Sequence, residues 1–176
     1  MPTNLQFITS ANVTGATSLS ITNCFTDEYD IYKVFLKNFD IGSGVDLALR
    51  FINASGSVVS DSNYSDAVRL LRSYSGGFAD IKAQNIAELK SIGFYDPANG
   101  VGQNVGMATN MYVHNPFSAS SYTFANWSNT GVSSIGTPAR KGIGVLKQTV
   151  SMTGLHYFTT GGETILGLNI SVYGVK

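Results

Sequence analysis

Alternation with a period of two, interrupted again and again by Gly, Asn, Ser and Thr, most limits what this chain can fold into. It is clearest in Tyr32-Lys33-Val34-Phe35-Leu36, in Leu47-Ala48-Leu49-Arg50-Phe51, and in the closing run through Ile165, Leu166, Leu168, Ile170 and Val172. Successive side chains of an extended strand point to opposite faces, so such runs bury one face and leave the other outside. Tyr32, Val34, Leu36, Leu47, Leu49, Phe51, Leu168, Ile170 and Val172 are the expected inward residues. Tyr173-Gly174-Val175-Lys176 continues the last run, which predicts an end pinned into a sheet with Val172 and Tyr173 buried.

Strands are expected near residues 5–8, 19–22, 29–39, 46–52, 64–72, 92–95, 105–113, 122–127, 143–148, 155–159 and 164–175. Gly42-Ser43-Gly44 and Asn53-Ala54-Ser55-Gly56 break the pattern between strands, and Thr160-Gly161-Gly162-Glu163 reads as a tight hairpin, because glycine supplies positive φ cheaply. Two stretches are less regular. In 73–91, Ile81, Ile86 and Leu89 could mark one or two helical turns, and 96–106, with Pro97, Gly100, Gly102 and Gly106, reads as a long loop. Many short strands without helix-length periodicity predict an all-β, antiparallel β-sandwich, jelly-roll-like, as a single domain over 1–176. No repeat of 20–50 residues suggests a propeller or solenoid.

The 176 residues suffice to bury about two-thirds of the unfolded surface without disulfide or metal staples. Charged residues make up only 12% of the chain, half the usual share of roughly 25%. A surface of Ser, Thr, Asn and Gly follows, suited to packing in an assembly or to a sheet with many polar turns. Eleven basic and eleven acidic residues cancel, and the basic ones are scattered, so nucleic acid is not an expected partner. No apolar run approaches the ~20 residues of a membrane span. Met1-Pro2-Thr3-Asn4 lacks the regions of a signal peptide, which predicts synthesis in a cytoplasm. One cysteine, Cys24, excludes an internal disulfide framework and is expected to be buried.

Motifs for chemistry are sparse. Gly100-Val101-Gly102-Gln103-Asn104-Val105-Gly106 misses the dinucleotide fingerprint by one residue and lacks a strand–turn–helix setting, so a turn-rich loop is the better reading. His114 and His156 lack clustered Cys or carboxylate partners for zinc and read as polar edge histidines. Asp27, Glu28 and Asp30 could join a calcium site but read better as a solvated turn. No Gly-x-Ser-x-Gly elbow or assignable carboxylate pair is present, so the expectation is no enzyme, no catalytic residue, no metal and no cofactor. Nine Tyr, ten Phe and one Trp remain. Tyr74, Phe78, Phe94, Tyr95 and Trp127 are the candidate recognition residues, since a ring face suits a pyranose. Core packing is the alternative for each.

The run from Val13-Thr14 through Ile21-Thr22-Asn23 into Tyr29-Asp30-Ile31-Tyr32-Lys33-Val34, then Asp46-Leu47-Ala48-Leu49-Arg50-Phe51, resembles a β-rich module of tailed-phage virion proteins, especially those of cyanobacterial and marine hosts. Met111-Tyr112-Val113-His114-Asn115-Pro116, Gly154-Leu155 and the closing Ile170-Ser171-Val172-Tyr173-Gly174-Val175-Lys176 extend the resemblance over nearly the whole chain. The resemblance implies an exterior virion component, either a capsid decoration subunit or a tail-fibre or baseplate tip. Its partners would be other virion proteins and copies of itself, in a homo-oligomer such as a trimer. The alternative is a lectin-like module that recognises host surface glycans through aromatic side chains.

Overall fold

The expected alternation resolves into twelve strands among the residues described by a computed structural model, which are 4–41, 45–72, 78–94, 107–131 and 138–176. They are β1 (Leu5–Val13), β2 (Ser18–Ile21), β3 (Ile31–Ile41), β4 (Asp46–Asn53), β5 (Tyr64–Arg72), β6 (Ala79–Ile86), β7 (Leu89–Phe94), β8 (Met107–His114), β9 (Thr123–Thr130), β10 (Pro138–Leu146), β11 (Met152–Thr159) and β12 (Ile165–Val175). Eight form one sheet in the order β1-β12-β3-β8-β9-β10-β5-β6, and four form a second in the order β2-β11-β4-β7. Every pairing is antiparallel. Two antiparallel sheets around one shared apolar core make a β-sandwich, as the alternation predicts.

All nine expected inward residues are buried in that core. Val172 is buried as well, whereas Tyr173 is half-buried on the opposite face, because the strict alternation of β12 cannot send neighbours the same way.

Three expectations are corrected. Residues 81–89 form no helical turn: Ile81 lies opposite Val68 and Ile86 opposite Tyr64 in the β5–β6 ladder, while Leu89 begins β7 in the other sheet. Their helix-like spacing comes from two strands on two layers. The Thr160–Glu163 turn is tight, with Gly162 at φ +76 and Thr159 Oγ1 donating to Glu163 O (2.7 Å), but it makes no hairpin. It carries the chain from β11 in the small sheet to β12 in the large one. His114 and His156 are not at edges, since β8 and β11 both lie inside their sheets. The 96–106 loop falls outside the described residues.

Among the described residues, four inward side chains of the large sheet carry polar atoms that bond to the β7 backbone. Trp127 Nε1 donates to Ser91 O (3.1 Å), Asn129 Nδ2 to Ser91 O and Ile92 O (2.9 and 3.0 Å), and Thr109 Oγ1 to Ile92 O (2.7 Å). Asp66 Oδ2 accepts from Lys90 N (2.9 Å). All four engage β7, an edge strand bent at Ser91, where φ is +58. Buried polar groups are costly unless bonded. These side chains supply partners to backbone groups of β7, and so tie the small sheet to the large one.

Candidate functional site

Because the alternation fixes which residues face inward, it also fixes what the large sheet shows to solvent. The registers align one outward row across all eight strands: Phe7, Tyr173, Lys33, Tyr112, Asn126, Ile143, Ala67 and Lys82, each directly opposite the next. At about 4.8 Å per strand the row is roughly 34 Å long. Parallel rows flank it. One runs from Ile31 through His114, Phe124, Val145 and Ser65 to Gln84, and the other from Ser171 through Phe35, Asn110, Ser128, Lys141 and Arg69 to Asp80.

Side chains on these rows touch. The Tyr173 ring meets Phe7 and Phe35 edge-on, with centroids 5.6 and 5.8 Å apart. Lys33 Nζ lies 4.8 Å from the Phe35 centroid and 5.2 Å from that of Tyr112. Tyr112 stacks on His114 at 6.5 Å, and His114 Nε2 is 2.8 Å from Asn126 Oδ1. An amide oxygen can only accept, so Nε2 is the donor in this contact. Beyond Asn126 the face sinks into a hollow of about 860 Å³. Phe124 and Ile143, 46% and 62% exposed, wall one side of it. Lys82 and Gln84 wall the other, and the short side chains of Ser65 and Ala67 lie between. The face thus combines apolar rings, amide and imidazole hydrogen-bonding groups, and cations along a row long enough for an extended ligand.

The sequence-based candidates are placed differently. Trp127 is 2% exposed, and its indole faces the core against Gly142 and Ser91, which removes it from any recognition surface. It occupies an inward position of β9, whose neighbours Phe124 and Asn126 point out. Phe78 is 66% exposed, with the Arg69 guanidinium 5.0 Å from its centroid. Phe94 ends β7 opposite Asp46, but its side chain, with all of Tyr74 and Tyr95, lies outside the described residues. The rings that do gather, Phe7, Phe35, Tyr112 and Tyr173, sit on strands rather than loops. Their signal in the sequence was an aromatic at the outward phase of an alternating run, as at Phe35 between Val34 and Leu36.

A second, smaller cluster occupies the outer face of the four-stranded sheet. Ser20 Oγ is 2.8 Å from His156 Nδ1, Arg50 stacks 4.6 Å from the Phe158 centroid, and Arg50 pairs with Glu88 at 3.0 Å. Partial burial and then the Arg50 charge push the His156 pKa down, so the neutral imidazole is favoured there.

No family model matches the chain. No curated protein matches it. Among solved structures it is similar to the marine PL-14 alginate lyase of Aplysia kurodai, with TM-score 0.37, 8% identity, and coverage of 95% of this chain and 81% of that one. It is similar also to the alginate lyase Aly36B, with TM-score 0.36, 11% identity, and coverage of 95% and 80%. A third is the enzymatically active domain of tailspike protein 2 from bacteriophage CBA120, with TM-score 0.37, 13% identity, and coverage of 98% of this chain but 29% of the tailspike. Against the expectation of no enzyme, the solved structures to which the chain is similar are two alginate lyases and an enzymatically active domain.

Proposed function

We propose that this chain is a glycan-binding β-sandwich module on the exterior of a tailed-phage particle, with its ligand lying along the outward face of the large sheet. The observation that carries the reading is the unbroken cross-strand row from Phe7 to Lys82, in which rings, an amide and cations recur. Sugars present flat apolar faces and a rim of hydroxyls, and aromatic rings beside donors and acceptors satisfy both. A subunit acting by protein contacts alone would have little use for the 860 Å³ hollow that continues the row. The virion setting comes from the sequence resemblance, and copies held together on a particle would gain avidity without new contacts.

Affinity electrophoresis through gels containing bacterial surface polysaccharides tests the reading. The chain should be retarded by at least one of them. Tyr112→Ala should weaken retardation about tenfold or more, in the range for losing a stacked ring and its hydroxyl bond. Phe158→Ala, on the opposite face of the sandwich, should be retarded like the parent. Equal mobility of the parent with and without every polysaccharide, or equal retardation of the Tyr112 and Phe158 variants, would refute it.

A further inference from the structure

Charge is unevenly divided between this face and the rest of the chain. The outward positions of the eight strands carry Lys33, Lys37, Arg69, Lys82 and Lys141 against Asp40 and Asp80. Five cations and two carboxylates leave six cations and nine carboxylates for everything else in a chain with eleven of each. Of the two acids, Asp80 is spoken for by Arg69 at 3.6 Å. Among the described residues, Lys33, Lys37, Lys82 and Lys141 have no carboxylate within ion-pair distance. Lys33 stands out, because it is half-buried between the Phe35 and Tyr112 rings at the centre of the aromatic part of the row. Rings hold a cation in place but leave its charge unneutralised.

We infer that the ligand of this face is an acidic polysaccharide, a chain of uronic-acid residues running across the strands. Carboxylates along it would meet Lys33, Lys141 and Lys82, while the sugar faces lie on the Tyr112 and Phe35 rings. The lysines are spaced along the rows rather than clustered, which fits a regularly repeating anion better than a single charged group. The carbohydrate part of this inference rests on the proposed function above. The anionic part rests on the charge division alone.

Binding of a panel of polyuronates, each compared with its carboxyl-reduced neutral form and with single-stranded DNA, distinguishes the two. At least one polyuronate should bind, its reduced form should bind at least about tenfold more weakly, and raising salt should weaken the acidic polymer selectively. Lys33→Met and Lys141→Gln, each with a parental melting curve, should each cost the acidic polymer about tenfold, as for one charge-assisted hydrogen bond. Equal affinity for acidic and reduced polymers would overturn this inference and leave the glycan reading intact. Failure to bind any polysaccharide, acidic or neutral, would overturn both. DNA bound as tightly as the best polyuronate would overturn the inference in favour of a general polyanion surface.

Discussion

Substituting Ala for Gly142 tests how tightly the large sheet is closed over its core. Gly142 stands opposite Trp127 across β9 and β10, and both face inward. The indole lies flat beneath the glycine: a Cβ there would fall 2.7 Å from Nε1 and closer still to Cε2 and Cζ2. Ordinary carbon contacts are about 3.5–4.0 Å, so the ring must move. It cannot slide easily, because Nε1 is anchored on Ser91 O and the side chain is fully enclosed. Overpacking costs about 1–3 kcal/mol. Losing the Nε1 bond adds about 1 kcal/mol, moderated because Asn129 still donates to Ser91 O. A total of about 2–4 kcal/mol corresponds to a Tm lowered by roughly 4–16 °C for a chain of this size. Trp127 is the single tryptophan, so a red shift of its emission reports the displacement directly, beside thermal melting by circular dichroism. Adding Trp127→Phe to Gly142→Ala should cost less than the two single changes summed, since the smaller ring relieves the clash. A Tm within about 2 °C of the parent, with unchanged emission, would show that the indole does not fill this space.

Two further outcomes follow from buried groups. Tyr64 is fully buried, and its hydroxyl accepts from Phe51 N (2.9 Å) and donates to Val59 O (3.0 Å), so Tyr64→Phe should lower stability by about 1–3 kcal/mol in urea with an unchanged slope. No shift in the midpoint would mean that these backbone groups find other partners. His156 has a folded-state pKa below its unfolded one, so its contribution to stability is present above the unfolded value near 6.5 and is lost as pH falls toward the folded value. Between pH 7.5 and 5.5 the parent should therefore lose more stability than His156→Gln, whose amide oxygen can still accept from Ser20, and parallel losses would contradict the burial argument.

Period-two runs made the strands and the inward residues legible, because every step along a strand reverses the side chain. Burial on one face of β3 follows from Tyr32, Val34 and Leu36 alone, whatever lies beside it. Strand neighbours were not legible in the same way. The turn at 160–163 has the composition of a hairpin, yet β11 and β12 lie in different sheets, and nothing local to Gly161 and Gly162 distinguishes the two outcomes. The same holds for 81–89, where two layers produced a spacing that one strand would not. Polar residues at inward positions, Asp66, Thr109 and Asn129, look like errors in the pattern until β7 is seen to need their bonds.

The candidate site fell on the illegible side of this division for one reason. A ring in or near a loop is conspicuous in a sequence, as at Tyr74, Phe78, Phe94 and Tyr95, and so is the single tryptophan, Trp127. Phe7, Lys33, Tyr112, Asn126 and Tyr173 are scattered over more than 160 positions, and only the registers of four strand pairings bring them into one line. Each of those registers is enforced from beneath. With β3 held in place, a slip of β8 by one residue would turn Met111 out to solvent and Tyr112 into the core. The outward row therefore draws its geometry from the hydrophobic side of the same strands. Residues such as Val34, which touch no ligand, decide whether Lys33 lies between its two rings.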